Sequence, residues 1–358
     1  MLRKFWFLFT SNKICKLSVF IFAFLFLGCE KEDIGLDNVP FYRDKIFSER
    51  NILLCKVPVP ESISLQSQTH PSILYFKEKW NGYNCWLATT PYPNGNAQLE
   101  NPCIYYANYE SGVPPVVFNG IEKNPIWNTP NPPIGYNSDV EIFYYKNFLY
   151  SLIRECYNGR YIREIKVQKS SDGFNWSPAI HLYSDEDCTE KFLLSPSIIY
   201  YNDKLRIYHL NSNVIDGIHG RCTSIEIMEG TSLDNPDFKW LKFGSFVNKD
   251  SVKIEPWHMD LFEYENKLFM VFCGRDIRTA NSAFQTYLAV SNDYESFRIY
   301  SKPLIMDFHT YRPTAYVDEN GYFNLYCSKV GFSREDGSDR SIGLARIKMD
   351  ELLIRLNK

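Results

Sequence analysis

The sequence predicts an all-β chain that folds as a five-bladed β-propeller of four-stranded antiparallel blades. Short runs rich in Tyr, Phe, Ile and Val alternate with turns of Asn, Asp, Gly and Pro, which is typical of strands. Helical periodicity is almost absent beyond the N-terminal segment. A strand pattern also recurs at a spacing of roughly 55–70 residues, in the range expected of propeller blades.

Each repeat begins with a polar segment that leads into an apolar strand. The five segments are "HPSILYF" from His70, "DVEIFYY" from Asp139, "SPSIIYY" from Ser195, "HMDLFEY" from His258 and "RPTAYVD" from Arg312. A second and a third strand follow each of them. Because the fifth repeat runs out at the C-terminus, we expect a strand near "NILLCKV" to complete it and close the ring. The repeats span residues 70–348 without a linker, so one propeller domain is predicted over residues 63–358.

Residues 1–29 are expected to be a targeting signal. Four basic residues precede the apolar run "LSVFIFAFLFLG", which stops at Cys29. The ending "FLGC" resembles a bacterial lipobox, with Phe26 where Leu is usual, and "EKED" resembles the export signal of surface lipoproteins in the Bacteroidetes. The resemblance implies that Cys29 is lipidated, that residues 30–62 form a tether with the ring-closing strand, and that the protein is exposed on the outer membrane. The alternative is a plain membrane anchor.

Composition excludes some partners. The chain has 39 basic and 42 acidic residues, whereas nucleic-acid binding normally requires a basic excess. Its 25 Tyr and 26 Phe provide ample core material, and a monomer is expected. Apart from Cys15 and Cys29, eight cysteines remain; most lie in apolar runs and are predicted to be buried thiols, with Cys85–Cys103 the favoured bridge if one forms.

The polar segments predict a polar central funnel, because residues i and i+2 share one face of a strand. The first layer would hold His70, Asp139, Ser195, His258 and Arg312, and the second Ser72, Glu141, Ser197, Asp260 and Thr314. A buried polar funnel must be hydrated, filled by metal or bound to a ligand. Loops after the second strands should lie at the same end; their candidate ligand contacts are Tyr92, Glu100, Arg154, Arg275, Asp276 and Arg278. Each arginine is alternatively a solvated loop charge.

The stretch "SSDGFNW" at 170–176 resembles the Asp-box of sialidases and other propellers, and "SNDYESF" at 291–297 is a weaker copy. Asp172 and Gly173 are predicted to form a turn, and Trp176 to pack between sheets. We interpret both stretches as structural.

The five-bladed plan resembles the family 43 and family 32 glycoside hydrolases over roughly residues 63–348. In family 43 an Asp before Pro in the first blade is the base, a second Asp tunes the pKa, and a Glu in a later blade is the acid. Here His70 stands at the first position and Ser195 begins the third blade, so only Asp139 keeps a carboxylate. The catalytic trio therefore cannot be transferred intact.

The funnel nevertheless contains groups suited to inverting glycoside hydrolysis, which needs an acid and a base typically about 6.5–9.5 Å apart. We assign Asp139 as the base or pKa partner and Asp260 or His258 as the acid, with Glu141 as a further candidate. Trp257 would stack on a sugar or pack between blades. The remaining predicted substrate contacts are His70, Arg312, Ser195, Arg154, Arg275 and Glu100. The predicted function is thus cleavage of an extracellular poly- or oligosaccharide, and no cofactor is required.

Two alternatives remain open. A calcium ion could lie near His70, Asp139, His258 and Asp260, with water supplying further ligands. The propeller could also bind a surface glycan without cleaving it. Arg312, together with Arg154 and Arg275, would also suit an acidic sugar as the substrate.

Overall fold

The computed structural model describes residues 45–358 except 62, 64–66, 129–134, 158–162, 186–190, 216–217, 249–252, 278–283, 307–308 and 331–339. Residues 45–358 form one compact unit. The predictions for Cys29 and the rest of residues 1–44 lie outside the described residues, as do Cys188 and Arg278. Within the described part of the chain, no helix has the length and apolar character needed to span a membrane.

The described secondary structure is almost entirely β. In chain order the elements are β1 (Leu53–Leu54), β2 (Gln68–Trp80), β3 (Tyr83–Pro91), β4 (Cys103–Ala107), β5 (Asn119–Gly120), β6 (Gly135–Tyr145), β7 (Phe148–Tyr157), β8 (Arg163–Ser170), β9 (Ile180–Asp185), β10 (Lys191–Tyr201), β11 (Lys204–Ile215), β12 (Ile218–Gly230), β13 (Lys239–Asn248), β14 (Ile254–Tyr264), β15 (Lys267–Asp276), β16 (Gln285–Ser291), β17 (Ser296–Ile299), β18 (Thr310–Val317), β19 (Tyr322–Val330), β20 (Arg340–Lys348) and α1 (Met349–Asn357).

The strands form five four-stranded blades, which confirms the predicted all-β propeller. Blades 1 to 4 are β2–β5, β6–β9, β10–β13 and β14–β17, each starting at its inner strand. Blade 5 contains β18, β19 and β20, and β1 supplies its outer strand through the pairs Leu53–Leu344 and Leu54–Gly343. Strand β1 lies within "NILLCKV". A strand from the beginning of the described chain thus completes the last blade.

Blades 3 and 4 are joined more closely than the sequence predicted. Their outer strands β13 and β17 pair in parallel from Ser245–Ser296 to Asn248–Ile299. The two blades therefore form one continuous eight-stranded sheet. This pairing covers two strand edges that would otherwise be exposed.

Apolar side chains are buried between neighbouring blades. Five hydrophobic clusters of described residues each join two adjacent blades, represented by the pairs Trp86 and Ile142, Leu152 and Ile207, Tyr208 and Phe272, Phe269 and Phe323, and Tyr105 and Tyr326. Sheets packed face to face in this way leave the inner strands to line a central axis.

Hydroxyl groups of the second polar layer link the inner strands near that axis. Three backbone N–H groups donate across blade boundaries: Ile142 to Ser72 Oγ at 3.0 Å, Leu261 to Ser197 Oγ at 3.2 Å, and Ile73 to Thr314 Oγ1 at 3.1 Å. Small hydroxyl residues at these positions therefore satisfy buried backbone donors.

The Asp-box forms the expected kind of turn. Asp172 Oδ1 accepts backbone N–H groups of Phe174 at 2.8 Å and Asn175 at 2.7 Å. Trp176 donates its ring N–H to the carbonyl of Gly173 at 3.0 Å and packs against the cluster between blades 1 and 2. Asp293 repeats this arrangement in blade 4, where it accepts from the backbone of Ser296 at 2.7 Å.

The described cysteines are all buried, and Cys85 and Cys103 form no bridge with each other. The helix α1 was not expected. Its Met349, Leu352 and Leu356 are buried in the cluster between blades 4 and 5.

Candidate functional site

The site begins with unusual backbone at the start of three inner strands. His70, Asp139 and Ser195 have positive φ angles of 51°, 54° and 48°. In each blade the pairing between the inner and second strand shifts register at this point. Left-handed backbone costs a residue with a Cβ of order 1–3 kcal/mol and concentrates at functional sites. Three such residues around one axis indicate a functional site.

Asp139 lies at the centre and is fully buried. Its Oδ2 atom is 2.9 Å from Nε of Arg154 and accepts the backbone N–H of Ser195 at 3.2 Å. Its Oδ1 atom faces two imidazoles, 3.4 Å from Nε2 of His70 and 3.1 Å from Nδ1 of His258. Burial favours the neutral acid, but the charge of Arg154 favours the carboxylate, and the pKa of Asp139 lies well below its usual range.

The two histidines are oriented by hydroxyl groups. Nδ1 of His70 is 2.9 Å from Oγ1 of Thr90, and Nδ1 of His258 is 2.7 Å from Oγ of Ser195. Burial lowers the pKa of both imidazoles despite the opposing effect of Asp139. Both rings are consequently neutral near pH 7, the form in which histidine binds metals.

These three side chains fit a metal ion. One ligand atom from each of His70, Asp139 and His258 lies within 4.8 Å of the others. Nε2 of His70, Nε2 of His258 and Oδ1 of Asp139 are buried and make no hydrogen bond with the described residues. Two imidazoles and one carboxylate suit zinc or another transition metal better than calcium, which prefers oxygen ligands. The structure brings together three of the four residues predicted to surround an ion; Asp260 is not among them.

A small cavity, here called the upper cavity, opens beside this cluster at the start of the inner strands. Its volume is about 90 Å³, and its lining includes Tyr92, Glu100, Tyr136, Arg154, Trp257 and Tyr311. Ala97 and Leu194 add apolar surface. The loop after β3 thus lies at the predicted end of the propeller and contributes to the site.

Glu100 is the acidic group of the upper cavity. It is 3% exposed, and its Oε1 atom is 4.0 Å from Nδ1 of His70. Burial and the charge of Asp139 raise its pKa to about 8, although Arg154 acts in the opposite direction. Glu100 therefore holds a proton near neutral pH, whereas Asp139 does not.

Two aromatic residues complete the site. Trp257 lines the cavity and lies 6.0 Å, centroid to centroid, from Phe284. The ring of Tyr311 is 4.4 Å from that of His258 and 5.3 Å from that of His70. The sequence analysis missed Tyr311, Tyr136 and Thr90. Tyr311 had a signal, because it precedes Arg312 as Trp257 precedes His258.

Arg275 lies apart from this cavity. Its guanidinium, on a side chain that is 45% exposed, is 3.3 Å from Glu255 and 5.8 Å from the ring of Phe284. It does not line the upper cavity, in keeping with the alternative of a solvated loop charge.

The second polar layer forms a separate network around Arg312. Arg312 is fully buried and donates to the carbonyls of Met259 at 3.2 Å and Val140 at 2.6 Å, and to Oε2 of Glu141 at 2.8 Å. Its side chain thus extends from the first layer into the second. All three hydrogen bonds of the Arg312 guanidinium are made to buried groups, and Arg312 does not line the upper cavity. This position differs from the substrate contact that the sequence predicted.

Glu141 and Asp260 also belong to this network. Oγ of Ser197 donates to Glu141 at 2.9 Å and is 3.1 Å from Oδ1 of Asp260, while Ser72 donates to Glu141 at 3.0 Å. Burial raises the pKa of both carboxyls, most strongly that of Glu141, against the effect of Arg312. Neither residue lines the upper cavity, so the structure does not place them with Asp139 as an acid–base pair across one ligand pocket.

No known family profile matches the chain. An A type blood N-acetyl-α-D-galactosamine deacetylase of Flavonifractor plautii is 23% identical over 348 residues, which covers 82% of this chain but only 42% of that enzyme. The solved structure of an N-acetylgalactosamine deacetylase from F. plautii, in complex with blood group B trisaccharide, has a TM-score of 0.70 at 19% identity and covers 85% of this chain and 96% of that one.

Family 43 glycoside hydrolases have the same fold at greater distance. A RS223 β-xylosidase has a TM-score of 0.55 at 12% identity, covering 79% of this chain and 92% of that one. The Xanthomonas citri family 43 enzyme in complex with xylotriose has a TM-score of 0.56 at 10% identity, covering 79% and 88%. Proteins that act on carbohydrates thus share this propeller, whereas the side chains at the axis differ from the family 43 trio.

Proposed function

We propose that this protein is a metal-dependent hydrolase that removes the acetyl group from an N-acetylated sugar. The observation that supports this most is the buried cluster of His70, Asp139 and His258, in which one ligand atom of each residue lies within 4.8 Å of the others beside a small cavity. The structural similarity to the deacetylase of F. plautii, whose TM-score of 0.70 exceeds those of the two family 43 enzymes named above, also supports the proposal.

The upper cavity suits this substrate group. Ordinary small-molecule sites measure roughly 300–1,000 Å³, whereas the upper cavity measures about 90 Å³. It therefore has room for a small substituent such as an acetamido group, with the sugar ring outside. Ala97, Leu194 and Trp257 offer apolar contacts for the methyl group.

The residues of the site can be given roles in amide hydrolysis, in which water adds to the carbonyl carbon, the C–N bond breaks, and acetate and an amine leave. A metal held by His70, Asp139 and His258 would polarise the carbonyl and make water more acidic. Arg154 and the backbone of Ser195 fix Asp139 by its Oδ2 atom, so that Oδ1 faces the histidines. Glu100 carries a proton near neutral pH and can donate it to the departing amine, and the proton released by the attacking water then returns Glu100 to its protonated form.

The experiment is a product assay with two readouts. Purified protein is treated with chelator, supplied with Zn²⁺, Mn²⁺ or Ca²⁺, and incubated with N-acetylgalactosaminides, N-acetylglucosaminides and xylo-oligosaccharides. Release of acetate with an equal amount of free amine is expected, dependent on the metal and lost in Asp139→Asn and His258→Gln. Arg275→Gln is the matched control and should keep full activity, because Arg275 lies outside the cavity. Acetate release that persists in His258→Gln would refute the proposal.

Glycoside hydrolysis is the second candidate, favoured by the family 43 fold. It would require a second carboxyl to act with Asp139 on the bond between two sugars. Glu100 is the carboxyl that shares the upper cavity, since Asp260 and Glu141 lie in the layer around Arg312. New reducing ends without acetate, retained after chelation, would establish this activity. Retention on a glycan gel with neither product would establish a binding propeller.

We further propose that Cys29 is lipidated and anchors the protein at the outer surface of the cell. The signal-like N-terminus and "FLGC" support this. Expressed in a Bacteroidetes host, the chain should be found in the membrane fraction and be cleaved when intact cells are treated with protease. Cys29→Ala should release it from the membrane, and equal membrane retention of this variant would contradict the proposal.

A further inference from the structure

An arginine that the sequence did not single out lies at the edge of the upper cavity. Arg340 begins strand β20 of blade 5. Its guanidinium carbon is 4.1 Å from the ring centroid of Tyr92 and 5.3 Å from that of Tyr311, and both rings line the upper cavity. The ring of Tyr311 in turn contacts that of His258. Arg340 is therefore one aromatic ring away from the metal-binding cluster without belonging to it.

The guanidinium of Arg340 has donors without acceptors. Its Nε and Nη1 atoms are buried and make no hydrogen bond with the described residues, and no ion pair joins it to a carboxylate among them. Stacking on tyrosine covers the faces of the guanidinium plane, whereas its N–H groups point outward from the edges. Donors left without acceptors are costly. The side chain as a whole is partly exposed, so an acceptor can approach it from solvent.

The arginines that the sequence assigned to an acidic sugar are already paired. Arg154, Arg275 and Arg312 each lie within 3.3 Å of a carboxylate oxygen. Arg340 has no such partner in the described part of the chain, and its charge reaches the cavity. Burial raises the pKa of Glu100, and Arg340 acts in the opposite direction.

We propose that the sugar substrate is acidic and that Arg340 binds its carboxylate or sulfate ester. This inference rests on the proposed deacetylation, which puts the acetamido group in the upper cavity and the sugar ring outside it, beside Tyr92 and Tyr311. A guanidinium is always charged, and its paired donors match neighbouring oxygens of one anionic group. A neutral hydroxyl would leave the charge of Arg340 unpaired.

The experiment measures the binding of matched acidic and neutral ligands to the chelator-treated full chain by calorimetry. One pair is a hyaluronan tetrasaccharide and its carboxyl-reduced form, and the other is N-acetylgalactosamine 6-sulfate and N-acetylgalactosamine. In at least one pair the acidic member should bind about tenfold more tightly, and added NaCl should reduce this preference. A preference in the first pair identifies a carboxylate as the recognised group, and one in the second a sulfate ester.

Variants test whether Arg340 causes the preference. Arg340→Gln should bring the two affinities within about twofold of each other, and Arg340→Lys should keep part of the difference. Arg346→Gln is the matched control, because Arg346 lies on the same strand and 3.9 Å from the ring of Tyr322 but is paired with Asp318 at 2.8 Å. It should retain the full preference. Far-ultraviolet circular dichroism verifies the fold of each variant.

Equal affinity of the wild type for both members of both pairs would overturn the proposal, and this comparison stays decisive if Arg340→Gln does not fold. A preference retained in folded Arg340→Gln would overturn it as well. Acetate release from the same ligands by the metal-loaded protein separates this inference from the proposed function. A preference that depends on Arg340 without acetate release would refute deacetylation and support the contact. Acetate release with equal kcat/KM for acidic and neutral members would overturn the acidic substrate alone.

Discussion

Replacement of Arg312 by Met should destabilise the propeller strongly, because it removes the cation at the centre of the second polar layer. Met retains most of the length of the side chain but none of its three hydrogen bonds. The carboxylate of Glu141 loses its ion pair at 2.8 Å, and the carbonyls of Val140 and Met259 lose their donors.

The magnitude follows from burial. Removing one partner of a buried ion pair costs about 3–5 kcal/mol, and each carbonyl left without its donor adds roughly 1 kcal/mol. Because Arg312 is fully buried, solvent cannot replace these bonds. We expect Arg312→Met to lower the free energy of unfolding by about 5–7 kcal/mol at pH 8.

The loss of stability in Arg312→Met should be larger at high pH than at low pH. Burial and Asp260 already raise the pKa of Glu141, and loss of Arg312 raises it further. A carboxyl with a raised pKa in the folded state contributes stability below its unfolded pKa, near 4.5, and loses this contribution as pH rises through the folded value. The deficit of Arg312→Met should therefore be smaller at pH 5 than at pH 8.

Urea unfolding followed by tryptophan fluorescence measures these quantities, with Glu141→Gln and the double variant completing a mutant cycle. The coupling between the two substitutions should be about 2 kcal/mol. Arg275→Met is the matched control: its ion pair is on the surface and should contribute less than about 1 kcal/mol. A coupling below about 0.5 kcal/mol, together with a deficit that does not change with pH, would refute the role given to Arg312.

Three further predictions concern separate parts of the molecule. Chelator-treated protein should bind about one Zn²⁺ per chain by calorimetry, and His70→Gln should weaken this binding at least tenfold. Zn²⁺ affinity should also fall below pH 6, because protons compete for the histidines. Unchanged affinity in His70→Gln would exclude the cluster as the metal site. Gly173→Ala should lower the melting temperature far more than Gly82→Ala, because both have positive φ but only at Gly173 would a Cβ lie 2.1 Å from the ring of Trp86; equal effects would contradict this packing. In metal-free protein, the denaturant midpoint of Glu100→Gln should rise relative to that of the wild type as pH increases from 5 to 9. The pKa of Glu100 is raised to about 8, so its ionisation destabilises the folded wild type. A difference in midpoint that stays constant with pH would contradict the raised pKa.

The fold was predictable because its signals repeat. A polar segment followed by an apolar strand occurs five times, and each copy supports the interpretation of the others. The helix α1 lacked such support. Its buried residues Met349, Leu352 and Leu356 have helical spacing, but a nine-residue helix gains its stability mainly from packing, and blades 4 and 5 supply that packing.

The site was predictable in part. The spacing i, i+2 indicates which residues face the axis, and His70, Asp139, Ser195 and His258 do meet there. Spacing does not determine how far a long side chain extends along the axis. Arg312 starts in the first layer, yet its guanidinium lies beside Glu141 in the second. A sequence pattern likewise cannot show the left-handed backbone of His70 and Asp139, which is set by the bulges between inner and second strands.

The position of Arg312 explains why one funnel contains two chemically different polar layers. Without a cation between the layers, Asp139, Glu141 and Asp260 would form one acidic group, and their mutual repulsion would favour protonation of some of them. The guanidinium instead pairs with Glu141, while Arg154 independently pairs with Asp139. Asp139 thereby stays ionised between two neutral histidines, a combination suited to binding a metal. Two imidazoles beside one carboxylate thus set the chemistry that the axis supports, while the propeller itself is shared with proteins of other chemistry.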